Sequence, residues 1–228
     1  MAPKPPPPDL DDVDRSVSYF RDRIPMTDED FDALDEELRG RAFRIAGVNQ
    51  LALVSDVWEA LDDAIANGDS FGDFKAEVSE RLSSAWGGEK PWKVENLFRT
   101  WTQRAYSAGR YEMMTDPDVK EARPFWEYVE IDDGRVCPIC SECGGTVRLA
   151  DDPWWASHIP PTHSACRCSH VSLTPEEAAG RADDPPPNVE AAPGFGGPPD
   201  EDFEPDLSRY PPQLVDAYQR RLDERRNR

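Results

Sequence analysis

A chain of 228 residues with a formal charge of −20, 23 prolines and 38% hydrophobic residues does not read as one compact body using its whole length. It has no apolar run of about 18 residues to cross a bilayer, its start MAPKPPPPDLDDVD lacks the apolar core of a signal peptide, and its negative balance argues against broad, non-specific DNA binding, which needs a positive face. The expected setting is a reducing cytoplasm, where clustered cysteines are more often metal ligands than disulfides.

Five prolines in the first eight residues remove N–H donors and fix φ. With the acidic stretch behind them they predict a disordered acidic arm over residues 1–26. Thr27 then offers a helix cap, with Asp30 three residues on to reach back. Phe31, Leu34, Leu38, Ala42, Ile45, Val48, Leu51, Val54, Trp58, Leu61 and Ile65 recur near the 3.6 period until Asn67-Gly68 stops the pattern. A break in so long a run is expected near Gly40 or Gly47. Ser70 with Asp73 makes a second capping pair ahead of the stripe Phe74, Val78 and Leu82, and Trp86-Gly87-Gly88 closes that helix. A third starts at Pro91, whose missing N–H costs nothing in the first turn, and carries Val94, Leu97, Phe98, Trp101, Ala105 and Ala108 on one side. None of the three could bury its stripe alone, which predicts a helical bundle with a shared core over residues 27–115.

Asp116-Pro117-Asp118 ends the helical part, and residues 124–131 (PFWEYVEI) have the aromatic and branched composition of a strand. Asp133-Gly134 gives a turn directly before the first cysteine. A short helix is expected at Thr174-Pro175-Glu176-Glu177, with threonine as cap and proline first. Residues 175–212 then become an acidic, proline-rich linker. Residues 213–228 restart a helical pattern, with Leu214, Tyr218 and Leu222 on one stripe among arginines. The fold class is therefore α+β: an N-terminal helical bundle, then a small metal-stapled module over 116–174, with disordered tails.

All five cysteines and two of the three histidines lie between residues 137 and 168. Cys137-Pro-Ile-Cys140 sets two sulfurs on one tight turn, and His163-Ser-Ala-Cys166-Arg-Cys168 adds an imidazole and two thiols after a long loop. Mixed nitrogen and sulfur donors suit zinc, which is borderline-soft, and ligands at both ends of the loop would staple a region too small for a good core. The expectation is one structural Zn²⁺ per chain, held by Cys137, Cys140 and His163 with a last corner from Cys166 or Cys168. Cys168 is slightly preferred for its longer spacing. Two cysteines at i and i+2 of an extended segment point to one side, so a four-sulfur site without His163 is the alternative. Cys143 could extend the pair into a CxxCxxC run, but the adjacent Gly144-Gly145 reads more as a loop tip, and His158 and His170 are read as solvent-facing or hydrogen-bonded side chains rather than ligands.

Other chemistries fit less well. A CPIC redox pair leaves His163 and the later cysteines unexplained, and five cysteines that merely pack in a core ignore the ligand-like spacing. Deaminase chemistry needs an H-x-E before its cysteine pair, and no histidine precedes His158. There is no H-E-x-x-H of a zinc protease. A metal-dependent nuclease could draw on His158, His163, Asp132, Asp133, Asp151 and Asp152, but a closed four-ligand site leaves no position for water. No nucleophile with a placed base is visible, so the chain is not read as an enzyme. Arg135 and Arg167 are expected to pair with nearby carboxylates or to reach a partner.

In order along the chain, RAYSAGRYE, FWEYVEIDDGRVCPIC, a tryptophan-containing loop and PPTHSACRC resemble the phage Mu F-like minor head proteins, a phage head morphogenesis family. The likeness covers roughly residues 41–173, and its most specific run joins Asp133 and Arg135 through Cys137 and Cys140 to His163, Cys166 and Cys168. It implies a minor head protein of a tailed phage or prophage, working near the portal in head assembly, with a role in DNA packaging or delivery for some members. Its partners would be the portal protein and other head proteins, capsid or scaffold. DNA contact is allowed only locally, and no membrane is involved. Its location would be the bacterial host cytoplasm during assembly, then the procapsid or virion interior. A metal-dependent nuclease or a nucleic-acid-binding module is the alternative function.

Overall fold

The computed structural model of the chain describes residues 10–34, 39–40, 42–182 and 185–199. Their N-terminal region is helical and the region after it is mixed α+β. They group into two compact units, residues 20–94 in one and residues 10–19 with 95–199 in the other. The proline run at 3–8 and the terminal helical pattern at 213–228 lie outside the described residues.

The first element falls where an arm was expected. Residues Leu10–Arg21 form a helix, α1, with Val13, Val17 and Phe20 at helical spacing. Acidic residues in a first helical turn favour a helix start, so the acidic composition that suggested disorder is compatible with α1.

In the unit of residues 20–94, Ile24–Pro25 (β1) pairs in parallel with Ala42–Phe43 (β2). Between them, Asp28–Asp32 (α2) starts at the expected cap: the Thr27 hydroxyl accepts from the Asp30 N–H at 3.1 Å and donates to its carboxylate at 2.8 Å. The 3.6-period run does not make one helix. Residues 42–50 are extended and turned, with Gly47 at φ +79°, a conformation that suits glycine. The Gly47 N–H donates to the Asp28 carboxylate at 2.9 Å. Ala42, Phe43, Ile45 and Val48 are still buried, so their spacing reported burial correctly and helix wrongly.

Helix α3 (Leu51–Asn67) ends at Gly68 with φ +71°, and α4 (Phe71–Ala85) begins at the Ser70/Asp73 capping box with Phe74, Val78 and Leu82 buried. Phe20 stacks on Trp58 at 5.2 Å, and Arg21 grips the Asp62 carboxylate at 2.9 Å.

Helix α5 (Pro91–Thr115) starts at Pro91 as expected. From Glu95 onward α5 groups with the residues that follow it. Its 25 residues span roughly 37 Å, enough for its later turns to serve the sheet instead. Asp116 does not end the helical part either: it caps a further helix, α6 (Pro117–Ala122), accepting from the Asp118 N–H at 3.0 Å.

The sheet is antiparallel, order β4–β3–β5, from Phe125–Val129 (β3), Val147–Leu149 (β4) and Ser169–Leu173 (β5). Side chains alternate between faces. Trp126 and Tyr128 join a core with Met114, Trp154, Trp155, Ile159 and four of the cysteines. On the other side Val147, Leu173 and Ala178 cluster with Phe125 and Val171, and the buried Glu127 carboxylate pairs with Arg181. Helix α7 (Pro138–Cys143) follows β3, and the Thr174 capping box opens α8 (Pro175–Ala178). Residues 185–199, expected as linker, contain no helix or strand but lie against residues 154–162.

Candidate metal centre

Two segments bring the sulfurs together. Cys137 is the N-cap of α7, with Pro138 in the first turn, and its sulfur accepts the Cys140 N–H at 3.3 Å. Cys140 is therefore carried back over Cys137 by one helical turn. The second segment is the loop 160–168, where a turn closes through the Cys166 N–H to the His163 carbonyl at 3.3 Å. Ala165 sits in this turn at φ +54°, a strained conformation for a residue with a Cβ.

Potential ligand atoms form two triads that share Cys140: Cys137, Cys140 and His163 in one, Cys140, Cys166 and Cys168 in the other, each within 4.8 Å. His163 Nε2 lies 3.1 Å from both Cys137 Sγ and Cys140 Sγ, and Cys140 Sγ lies 3.7 Å from Cys166 Sγ. A zinc tetrahedron with Zn–S near 2.3 Å has sulfur–sulfur edges of about 3.8 Å and sulfur–nitrogen edges of about 3.6 Å. The sulfur pair already has that spacing, and the imidazole needs to back away by only a few tenths of an ångström. The arrangement can chelate a metal ion.

Neighbouring groups hold the donors in place. His163 Nδ1 donates to the Ser164 carbonyl at 2.8 Å, which leaves the Nε2 lone pair facing the sulfurs. Thr162, fully buried, shares a hydrogen bond of 3.0 Å with the Tyr128 hydroxyl, and that hydroxyl points at Cys140 Sγ from 3.6 Å. From α5, Thr100 accepts the Ala165 N–H at 2.9 Å, Asn96 accepts the Ser164 hydroxyl at 2.8 Å, and Gln103 donates to the Cys168 carbonyl at 2.6 Å. These anchors were missed in the sequence, although Asn96, Thr100 and Gln103 make a polar stripe at i, i+4 and i+7. Arg167 grips Asp133 through both guanidinium nitrogens at 2.8 and 2.7 Å, which ties the 131–136 loop to the second segment.

The electrostatics favour a cation. Hydrogen bonds from Cys140 and Cys168 hold the Cys166 thiol well below the usual range, while Cys140 is pushed up to about 12 by sharing its proton with Cys166, and Cys168 is raised by its bonds to Cys140 and Cys166. The opposed directions show that the three buried sulfurs resist ionising together. A divalent cation would let all of them ionise.

The remaining candidates stand elsewhere. Cys143 stays out of the cluster: it is the last residue of α7, fully buried and outside both triads, with its thiol pushed up to about 12 by burial. Three residues after Cys140 on a helix it shares the inward side, and the turn falls on Gly144-Gly145. His158 is hydrogen-bonded, its Nε2 donating to the Val189 carbonyl at 2.7 Å, and its ring stacks on Trp154 at 4.2 Å. His170 is neither solvent-facing nor hydrogen-bonded. It is fully buried beside Tyr111 and Trp126, has no hydrogen-bond partner among the described residues, and titrates near 3 because burial disfavours its charge. The inward alternation of β5 puts it there.

Three of the four carboxylates of the nuclease reading are engaged with cations. Asp133 holds Arg167, Asp151 pairs with Lys120 and Asp152 with Arg148, and no carboxylate joins the Cys/His groups among the described residues. No helix among those residues is long and apolar enough to cross a membrane.

A family model described as "Phage Mu protein F like protein" matches residues 55–171. The chain is 27% identical over 178 residues to the "Putative capsid assembly protein F" of Escherichia phage Mu, covering 70% of this chain and 40% of the relative. It is 29% identical over 152 residues to the "Mu-like prophage FluMu F protein" of Haemophilus influenzae, covering 61% of this chain and 36% of the relative. The chain thus spans less than half the length of either. No solved structure matches it significantly.

Proposed function

The chain belongs to the phage Mu F-like protein family, and on that premise we propose that it is a head-assembly component of a tailed phage or prophage. The observation that carries this reading is the family match over residues 55–171, which takes in Cys137, Cys140, His163, Cys166 and Cys168; the relative from phage Mu is named as a putative capsid assembly protein. The proposed partners are the portal and other head proteins, and the proposed place is the procapsid interior near the portal. The output is assembly rather than turnover.

Within that role the Cys/His cluster holds one structural zinc. Cys137, Cys140 and His163 form one wall, and Cys166 or Cys168 closes the tetrahedron from the other side of Cys140. The ion links the turn after β3 to the loop before β5, so metal binding and the folding of the module at 116–174 are coupled. Mass spectrometry of purified procapsids, with crosslinking to the portal protein, tests the role. The chain should be present in few copies and crosslink to the portal; its absence from assembling heads would reject the proposal.

A further inference from the structure

We propose that residues 154–162 together with Arg104 form a binding site for a turned, proline- and glycine-rich peptide, and that residues 187–196 of this chain occupy it in cis. Six hydrogen bonds join the two, and on the segment's side every one is made by the main chain. Ile159 N–H donates to the Gly196 carbonyl at 2.8 Å, Gly196 N–H to Pro161 at 3.1 Å, and Ala192 N–H to Thr162 at 2.9 Å. Trp154 Nε1 donates to the Pro187 carbonyl at 3.3 Å, His158 Nε2 to Val189 at 2.7 Å, and Arg104 to Gly194 at 2.6 Å. The Arg104 guanidinium also lies over the Phe195 ring at 4.4 Å.

Burial is unequal across this contact. On the receiving side Trp154, His158, Ile159 and Thr162 are all buried, whereas Gly196 is the only buried residue of the segment 185–199. A stretch that belonged to the core would bury its own side chains. A peptide ligand instead gives its main chain for affinity and a few positions for specificity. Gly196 is the specificity position: its φ is +83°, and a Cβ there would stand 2.3 Å from the Ser157 carbonyl oxygen. The ligand class is thus a proline- and glycine-rich segment that turns at Pro193-Gly194, where the Phe195 N–H donates to the Ala192 carbonyl at 3.0 Å, with an aromatic residue directly before a glycine. A second copy of this chain carries the same segment. The inference does not depend on the metal or on the head-assembly reading.

The test uses the whole chain with a protease recognition sequence in place of Asp183-Asp184. After cleavage, the fragment from residue 185 onward should stay with the body on size exclusion. Excess synthetic peptide 185–199 should release it while the circular dichroism of the body is unchanged. The same peptide with Gly196→Val should compete about 10-fold or more weakly, since its added side chain has no room. An uncleaved Gly196→Val chain should keep its fold and become open to proteolysis within 185–199. The proposal is overturned if the fragment leaves at once from a folded body, if both peptides compete equally, or if release unfolds the body, which would make the segment part of the core.

Discussion

At the residue scale, the two cysteines of α7 that face inward differ in role. Cys140 belongs to both triads, whereas Cys143 is buried but belongs to neither. On the proposal that Cys140 helps to hold the zinc, Cys140→Ala should cost several kcal/mol, since metal binding and folding are then coupled, and Cys143→Ala should cost about 1 kcal/mol, as an ordinary small core truncation does. Urea denaturation of the two variants checks this, and equal losses would contradict it. Asp133 supplies a pH signature. The hydrogen bonds from Arg167, then the Arg135 N–H, hold its carboxyl below the usual carboxylate range. A depressed folded-state pKa stabilises fully above the unfolded value of about 3.9, and that contribution is lost as pH falls below it. Unfolding midpoints of the parent and Asp133→Asn should differ at neutral pH and draw together as pH falls from about 4 through the lower folded-state value; a gap that stays constant with pH would show that the ion pair contributes nothing. The sulfurs and imidazole that the two triads bring together were legible as candidates because their spacing marks them. Their supports were not: Tyr128, Thr162 and Gln103 come from three separate elements, and only the fold brings them to the sulfurs.

At the element scale, caps proved the most readable signals. Thr27, Ser70 and Thr174 each sit where a hydroxyl followed three residues on by an acid suggested, and each side chain accepts the expected N–H. Ser70→Ala should lower stability by about 1 kcal/mol, measured by thermal or urea unfolding; no change would mean that α4 is held by its buried stripe alone. The 3.6-period run from Phe31 to Ile65 misled for a definite reason. Apolar spacing reports which residues are buried, and Ala42, Ile45 and Val48 are buried from an extended and turned segment in which Gly47 is left-handed. Helix α1 was lost for the opposite reason: its stripe of Val13, Val17 and Phe20 is short and surrounded by acids, a composition shared by disordered arms.

At the scale of the whole molecule, the helical-then-α+β order was visible in the sequence, but the grouping was not. A stripe on α5 shows that one side is buried without saying what covers it, and from Glu95 onward α5 groups with the Cys/His region rather than with α3 and α4. That places Asn96, Thr100 and Gln103 against the loop carrying His163, Cys166 and Cys168. The central claim is that a metal ion completes this architecture. It is tested most directly by elemental analysis of the full chain purified without added metal. The account predicts one zinc per chain, retained in the folded protein and lost together with structure on chelation. A folded chain with essentially no zinc and five freely reactive thiols would contradict it.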